Sequence, residues 1–254
     1  MNSFPWRLRV AWRVTARMTP WLRSSQERYF ESLEGLIRPQ SRILDIGCGK
    51  EFLVSWLRPD KYLRWSASIL DEAVIFGVDP CISSLRQNTS HLTACATVDH
   101  LPFQADSFDV VTANMVVEHL AEPEPALREI FRVLKPGGVF LFHTPNLRAP
   151  EVGLSNLLPY AFKRRVLVPV FEGGRQEDDV FRTHYRLNTK ATIVSAAACS
   201  GFLVEGINHV FTSPFTQMLG PFVVFELLRI RLLSGERFES WRPDLVCLLR
   251  KPAT

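Results

Sequence analysis

Two spacings of apolar residues alternate along the chain and predict strands alternating with helices. Short apolar runs indicate strands buried in a parallel sheet, and apolar residues that recur every three or four positions indicate helices with one face in the core. Strands are expected at residues 42–46, 74–78, 92–98, 107–111, 139–143, 202–210 and 245–249.

Helices are predicted between these strands. The helix over residues 26–37 directs one face to the core through Phe30, Leu33 and Ile37. A second helix is expected from about residue 50 to 57. A third stripe of apolar residues consists of Leu127, Ile130, Phe131 and Leu134. The sequence Pro136-Gly137-Gly138 is expected to end that helix and turn the chain.

The first strand leads into two glycines separated by one residue. Gly47 and Gly49 tolerate a left-handed backbone and permit close approach of a ligand, and the free N–H groups of the following helix would face the same loop. Because ligands of open α/β sheets bind outside the carboxyl ends of the strands, this loop is expected to form the floor of a small-molecule site.

A carboxylate closes the second strand. Asp79 can accept both hydroxyl groups of a ribose, since each ionised carboxylate oxygen is an acceptor. The alternative reading, in which Asp79 is the N-cap of a helix before Pro80, does not conflict with this role.

Several of these motifs occur in an order that resembles a known family. They are Asp45-Ile46-Gly47-Cys48-Gly49, Gly77-Val78-Asp79-Pro80, Leu101-Pro102-Phe103, Glu118-His119-Leu120 and Arg132-Val133-Leu134-Lys135-Pro136-Gly137-Gly138. Over roughly residues 43–146 the chain resembles the class I S-adenosylmethionine (SAM) dependent methyltransferases, and within them the ubiquinone/menaquinone-biosynthesis type of domain. The resemblance implies an α/β Rossmann-like three-layer sandwich, with a seven-stranded, mostly parallel sheet, an antiparallel last strand and lid insertions.

The resemblance also implies where the cofactor, SAM, is bound. The loop of the first motif and the end of the second strand would contact it through Asp45, Gly47, Cys48, Gly49, Asp79 and Pro80. The adenine ring would meet Thr97, Val98 and Asp99, and the sulfonium would be flanked by Asn114 and Met115. No metal-binding constellation is visible in the sequence.

Composition is that of an ordinary globular chain. The net charge of +4 does not by itself indicate nucleic acid as a partner, and no Asn/Asp-Pro-Pro-Tyr/Phe/Trp motif of base methylation is present. The five cysteines are scattered and odd in number, which favours a reducing, cytoplasmic compartment over a disulfide framework. No apolar run approaches the length of about 20 residues that spans a bilayer.

The first 25 residues are basic and lack acidic residues. Arg9, Arg13 and Arg17 would form one stripe on a helix, with Trp12 roughly opposite. Three readings stay open: an element that lies on an anionic membrane surface, an arm packed on the domain, and an organellar transit peptide.

The remaining residues, 26–254, are expected to form the methyltransferase domain, interrupted by insertions at about 147–180 and 211–241. By resemblance the first insertion is a lid over the site. Asn188 or Thr189 is expected to cap the helix that follows it, and Gly201 to mark its end. Within the second insertion, residues 222–233 are apolar nearly all round, which suits either a packed helix or a lipid or partner surface.

Methyl transfer to oxygen needs a base in addition to alignment of donor and acceptor. The candidates are His143, at the end of a strand and preferred, then His184 and His119. The acceptor is expected to be a small molecule, a glycan or a lipid-linked compound, methylated on oxygen.

Two rival functions are carried forward from the sequence. One is a binding or scaffold protein with an inactive methyltransferase fold, because Glu51 and Thr97 stand where the family usually has a small and an acidic residue. The other is a nicotinamide-dependent oxidoreductase, which Phe52 argues against, because that fingerprint has a third glycine at this position.

Overall fold

The computed structural model describes residues 23–50, 73–88, 92–157, 182–211 and 223–253. Apart from residue 50, the helix predicted from about 50 to 57 lies outside these ranges, as do residues 1–22 and the central parts of both predicted insertions. The domain boundaries therefore stay predictions.

The described chain alternates helices and strands. The helices are α1 (Ser25–Leu36), α2 (Ile82–Leu85), α3 (Pro123–Val133), α4 (Pro150–Leu157), α5 (Lys190–Cys199) and α6 (Val223–Leu233). The strands are β1 (Ser41–Ile46), β2 (Ala73–Asp79), β3 (Leu92–Cys95), β4 (Phe108–Asn114), β5 (Leu134–Pro145), β6 (Leu203–Val210) and β7 (Asp244–Arg250). Short 3₁₀ turns lie at Val117–His119 and Glu236–Trp241.

The seven strands form one sheet in the order β3-β2-β1-β4-β5-β7-β6. The pairs β1–β2, β1–β4, β2–β3 and β4–β5 are parallel. Strand β7 runs antiparallel to both of its neighbours. The predicted fold class, a mostly parallel seven-stranded sheet with an antiparallel last strand, is confirmed.

Each face of the sheet has its own apolar core. On one face, which we call the α1 face, Tyr29, Phe30 and Leu33 of α1 pack against Ile43 and Leu141. On the opposite face, α3 and α5 cover the sheet through Leu127, Ile130, Ile193 and Ala197. Burial of both faces explains why the central strands are apolar runs without alternation.

Two predicted boundaries differ from the structure. Strand β3 ends at Cys95 and not near residue 98, because Cys95 pairs with Asp79, where its neighbour β2 ends. Helix α3 ends at Val133, three residues before Pro136, since Leu134 is fully buried and already pairs with Phe108. The turn expected at residues 136–138 is therefore part of β5.

Helix α6 packs through one side. Ile230 and Leu233 are buried, whereas Leu228 and Leu232 are exposed, and Arg229 donates to Glu151 of α4. None of the helices within the described ranges is long and apolar enough to cross a membrane.

Candidate functional site

The loop after β1 lies against the end of β2. The N–H groups of Gly47 and Cys48 donate to the carbonyl oxygen of Val78, at 2.8 and 3.1 Å. Gly77 leaves space for the Cys48 side chain, because a Cβ at position 77 would lie 2.6 Å from the sulfur atom. Burial raises the pKa of the Cys48 thiol, which makes it a packing group and not a nucleophile.

Both glycines of this loop have left-handed backbones, but their surroundings differ. Gly47 has a φ of +69°, and a Cβ there would lie 2.5 Å from a methyl carbon of Val116. Gly49 has a φ of +54°, and apart from its two chain neighbours no heavy atom of the described residues lies within 4 Å of the position of its Cβ. The backbone of Gly49 thus faces open space, in which a ligand can approach it closely.

Asp79 connects the loop to the end of β2. One carboxylate oxygen accepts the N–H of Gly49 at 3.0 Å, and the other accepts the N–H of Cys81 at 2.8 Å. An ionised carboxylate has about four acceptor positions, so Asp79 keeps capacity for two further donors.

Asp45 supplies a second carboxylate to this end of the sheet. It is buried, and the loss of water together with the charge of Asp79 raises its pKa well above the ordinary value. The Asp79 carboxylate gives the site a negative potential that favours a cationic ligand, whereas Asp45 holds its proton more tightly.

The chain after β3 reaches the same edge of the sheet. The side chain of Thr97 hydrogen-bonds to Asp99 and, as the main cause, lowers the pKa of that carboxyl. His100 lies 3.2 Å from Asp99, and Val98 packs against the core. The three residues expected near the adenine therefore follow β3, the strand beside the Asp79 strand.

The end of β4 carries Asn114 and Met115. Met115 has a left-handed backbone, with φ of +57°, and its N–H donates to the carbonyl oxygen of His143 at 2.9 Å. The side chain of Asn114 pairs with Gln26 of α1, through contacts of 3.1 and 3.3 Å, and lies 2.8 Å from Nδ1 of His143.

The three histidines expected as base candidates fall into two places. His143 lies on the α1 face, is 2% exposed and packs beside Tyr29. His119 and His184 lie near each other in the segments after β4. Nδ1 of His119 lies 3.0 Å from the carbonyl oxygen of Arg182, and the backbone N–H of His184 donates to the carbonyl oxygen of Glu118. Most of the predicted lid lies outside the described residues, so the role of His143 as base stays a prediction.

Buried polar residues that the sequence analysis did not assign to the site surround this edge. Thr144 donates to the carboxylate of Glu118 at 3.1 Å, and Asn188 donates to Thr144 at 2.7 Å. Asp244, at the start of β7, lies 3.8 Å from His143. In the sequence, the feature that could have indicated these residues is a polar residue next to an apolar run that predicts a strand.

A cavity of about 490 Å³ lies at the same edge, on the α1 face beyond β5. Its walls come from the start of α1, the end of β6 and the segment before β7, including Arg28, Asn208, Phe211 and Arg242. This volume is in the range of small-molecule sites. Within the described residues, no group of three or more His, Cys, Asp or Glu side chains could hold a metal ion.

Comparison with known proteins agrees with this geometry. Residues 44–142 match a family model described as a methyltransferase domain. The chain is 26% identical over 187 residues to the human mitochondrial ubiquinone biosynthesis O-methyltransferase, covering 69% of this chain and 45% of the relative. It is 34% identical over 107 residues to a ubiquinone/menaquinone biosynthesis C-methyltransferase of Vibrio vulnificus, covering 41% of each.

A solved SAM-dependent methyltransferase from Mesorhizobium loti shares the fold, with a TM-score of 0.56 and 20% identity over 89% of this chain and 98% of that one. The chain spans less than half the length of the two curated relatives.

Proposed function

We propose that the chain carries a class I methyltransferase domain of the ubiquinone/menaquinone-biosynthesis type, whose cofactor is SAM. We propose that the protein is a SAM-dependent methyltransferase that acts on a small-molecule, glycan or lipid-linked acceptor, and that the methylated atom is oxygen. The main support is the Asp79–Gly49 arrangement, in which a buried carboxylate with free acceptor capacity lies beside an open glycine backbone.

The residues at this edge fit SAM. Asp79 would accept the two ribose hydroxyls, and Gly47 and Gly49 would let the backbone approach the methionine portion. Asp45 is buried close to Asp79, whose negative charge suits a ligand that carries a sulfonium and an ammonium group, and Cys48 and Pro80 shape the loop. Thr97, Val98 and Asp99 would border the adenine ring, and Asn114 and Met115 would border the sulfonium.

Bound SAM would supply a methyl group that is already activated, so the chain's own residues mainly have to align the acceptor. Alignment of this kind can lower a barrier by up to about 7–11 kcal/mol. The cavity beyond β5 is our candidate for the acceptor site, because it opens at the edge where Asn114 ends β4. Its size supports a small molecule or the head of a larger one.

Loss of the acceptor proton needs a base if the acceptor is a hydroxyl group. His184 and His119 lie together after β4, and both are partly exposed. His143 is enclosed and already contacts Asn114. We therefore place His184 and His119 ahead of His143 as candidate bases, which reverses the order taken from the sequence.

Calorimetry with SAM, its demethylated product and NAD tests the cofactor site. We expect both sulfur compounds to bind, and Asp79→Ala to weaken SAM binding about tenfold or more, because two hydrogen bonds are lost. Gly49→Val should abolish binding, since its side chain fills the open space. Gly137→Val is the matched control: Gly137 is also left-handed, with no atom within 4 Å, but lies near Lys251 at the other edge.

Binding of NAD without SAM would contradict the assignment. Methyl transfer is then measured with labelled SAM and a panel of phenols and catechols. A protein that binds SAM but transfers no label to any acceptor would support the scaffold alternative.

We further propose that residues 1–25 bind anionic membrane surfaces, while the domain itself is cytoplasmic. The support is the Arg9, Arg13 and Arg17 stripe and the absence of acidic residues. Each basic residue near such a surface contributes about 1 kcal/mol. Replacing these three residues by Gln should reduce co-sedimentation with anionic vesicles at low salt.

The control for this experiment changes the charge equally, by replacing the exposed Arg38, Arg128 and Arg237 with Gln. Equal loss in both triple variants would mean that net charge, and not the N-terminal stripe, drives vesicle binding.

A further inference from the structure

Four polar side chains from distant parts of the sequence form a line on the α1 face. Gln26 comes from α1, Asn114 from the end of β4, His143 from β5 and Asp244 from the start of β7. Gln26 and Asn114 exchange two hydrogen bonds, Asn114 lies 2.8 Å from Nδ1 of His143, and Nε2 of His143 lies 3.8 Å from Asp244. The line runs along the carboxyl edge of the sheet, from the start of β7 to the end of β4.

The far end of this line contains two buried atoms without a hydrogen-bond partner. Among the described residues, neither Nε2 of His143 nor one carboxylate oxygen of Asp244 has a hydrogen-bond partner, and the two side chains face each other. The two side chains are only 2% and 6% exposed. An ionised carboxylate can only accept hydrogen bonds, and an unpaired buried charge is costly. A proton on Nε2 lowers the energy of both groups.

The other groups around the ring do not offer Asp244 a substitute. Tyr29 of α1 lies beside the imidazole, with ring centroids 6.0 Å apart, and its hydroxyl group contacts Thr112. Burial raises the pKa of Tyr29, so it stays a neutral phenol. Asp244 is therefore the charged group that faces His143 among the described residues.

We propose that Asp244 and His143 are positioning residues that fix the carboxamide of Asn114. Asp244 keeps a proton on Nε2 of His143, and Nδ1 of His143 contacts the carboxamide oxygen of Asn114. Gln26 pairs with both the oxygen and the NH₂ group of that carboxamide. The orientation of Asn114, at the strand end where methyl transfer is proposed, is thus set from the start of β7. Only the consequence for turnover rests on the proposed function.

The contacts of Asn114 with Gln26 and His143 explain why its carboxamide has one fixed orientation. Rotating the Asn114 carboxamide by half a turn would exchange its oxygen and nitrogen, and Gln26 would have to rotate with it to keep both hydrogen bonds. The state of Nδ1 decides between these two arrangements, because a protonated Nδ1 needs the oxygen and an unprotonated one needs the NH₂ group. His143 therefore controls two side-chain amides at once.

Nuclear magnetic resonance of the ¹⁵N-labelled full chain without substrate tests the proposal directly. We expect the Nε2 resonance of His143 to be that of a protonated nitrogen, and Asp244→Asn to shift the side-chain amide signals of Asn114 and Gln26. Asp106→Asn is the control, because Asp106 also forms an ion pair, with Lys251, but at the other edge of the sheet. An unprotonated Nε2 in the wild-type spectrum would overturn the proposal, even if Asp244→Asn did not fold.

Kinetics form the second arm of the test. With an acceptor in hand, Asp244→Asn and His143→Gln should lower kcat by about 10- to 100-fold, because misplacement of a reacting group can cost about 10²-fold. SAM affinity should stay within about twofold of wild type, and the pH profile of kcat should change in Asp244→Asn but not in Asp106→Asn. Unchanged kcat in both site variants would contradict the positioning role.

Absence of methyl transfer by the wild-type protein would refute the proposed function. It would leave the protonation of Nε2 and the response of the Asn114 and Gln26 amides to be judged from the spectra alone.

Discussion

Asp45 lies one residue before the end of β1 and Asp79 ends the neighbouring β2, yet the two carboxyl groups have different roles. Asp79 accepts two backbone N–H groups, whereas Asp45 is buried near that charge and has a raised pKa. The folded chain therefore binds a proton at Asp45 more readily than the unfolded chain does. Through the pH interval between the two pKa values, the free energy of unfolding falls as the pH rises.

Replacing Asp45 by Asn removes this ionisation while nearly keeping the shape. We expect Asp45→Asn to increase the free energy of unfolding at about pH 8, because the wild-type chain resists ionisation of this buried carboxyl in the folded state. The gain should vanish near pH 4, where the wild-type carboxyl is protonated in the folded state.

Urea denaturation at both pH values measures the difference, with Glu34→Gln, on the exposed side of α1, as the control. A gain of equal size at the two pH values would mean that ionisation of Asp45 is not its cause.

Residue-level prediction from the sequence succeeded where one short stretch carries the information. Asp79 directly follows an apolar run, and Gly49 is one residue from Gly47, so the glycine loop and the carboxylate could be placed at one edge. The contact between His143 and Asp244 could not be predicted, because it depends on the register of β5 against β7, two strands about 100 residues apart.

At the scale of elements, helix α1 contributes both to the stability of the fold, through its N-cap, and to the candidate site, through Gln26. Its N-cap, Ser24, accepts the N–H of Glu27, and the Glu27 carboxylate accepts the N–H of Ser24. Gln26 lies within this first turn and pairs with Asn114. The same reciprocal cap occurs at the start of α5, where Thr189 pairs with Thr192.

The two caps make a matched pair of variants. Ser24→Ala and Thr189→Ala should each lower the free energy of unfolding by about 0.5–2 kcal/mol. Only Ser24→Ala should shift the side-chain amide signals of Asn114 and Gln26, because only α1 carries a residue of that line.

Denaturation midpoints and amide spectra of the two variants are compared. Equal spectral changes would show that a general loss of stability, and not the first turn of α1, affects Asn114.

The bounds of helices and strands were predicted well where a cap residue or an apolar stripe marks them, and less well where pairing between strands determines where a strand begins. Thr189 was one of two expected caps for α5, and Gly201 follows its end with φ of +81°. The start of β5 was missed because Leu134 continues the helical stripe of α3 in sequence, while its burial and its pairing with Phe108 place it in the sheet.

At the scale of the whole molecule, the two edges of the sheet have separate tasks. The carboxyl edge carries Asp79, Asn114 and the cavity. The opposite edge is closed by Lys251, whose ammonium group donates to the carbonyl oxygens of Phe131 and Leu134 and to the carboxylate of Asp106. These contacts join the end of β7 to the end of α3 and the start of β5.

Removing that ammonium group should therefore reduce stability without affecting ligand binding. Lys251→Met keeps the aliphatic stem beside the Phe131 ring but leaves two carbonyl groups and a carboxylate without this donor. We expect a loss of about 2–4 kcal/mol in the free energy of unfolding, since the Lys251 side chain is only 13% exposed.

Lys135→Met serves as the comparison, because the Lys135–Asp109 pair is more than a third exposed and such pairs contribute about 0–1 kcal/mol. Both variants should bind SAM with wild-type affinity at temperatures where they are folded, because ligands of such sheets bind at the carboxyl edge. A Lys251→Met protein that is folded but binds SAM at least tenfold more weakly would show that the two edges are coupled through β5 and β7.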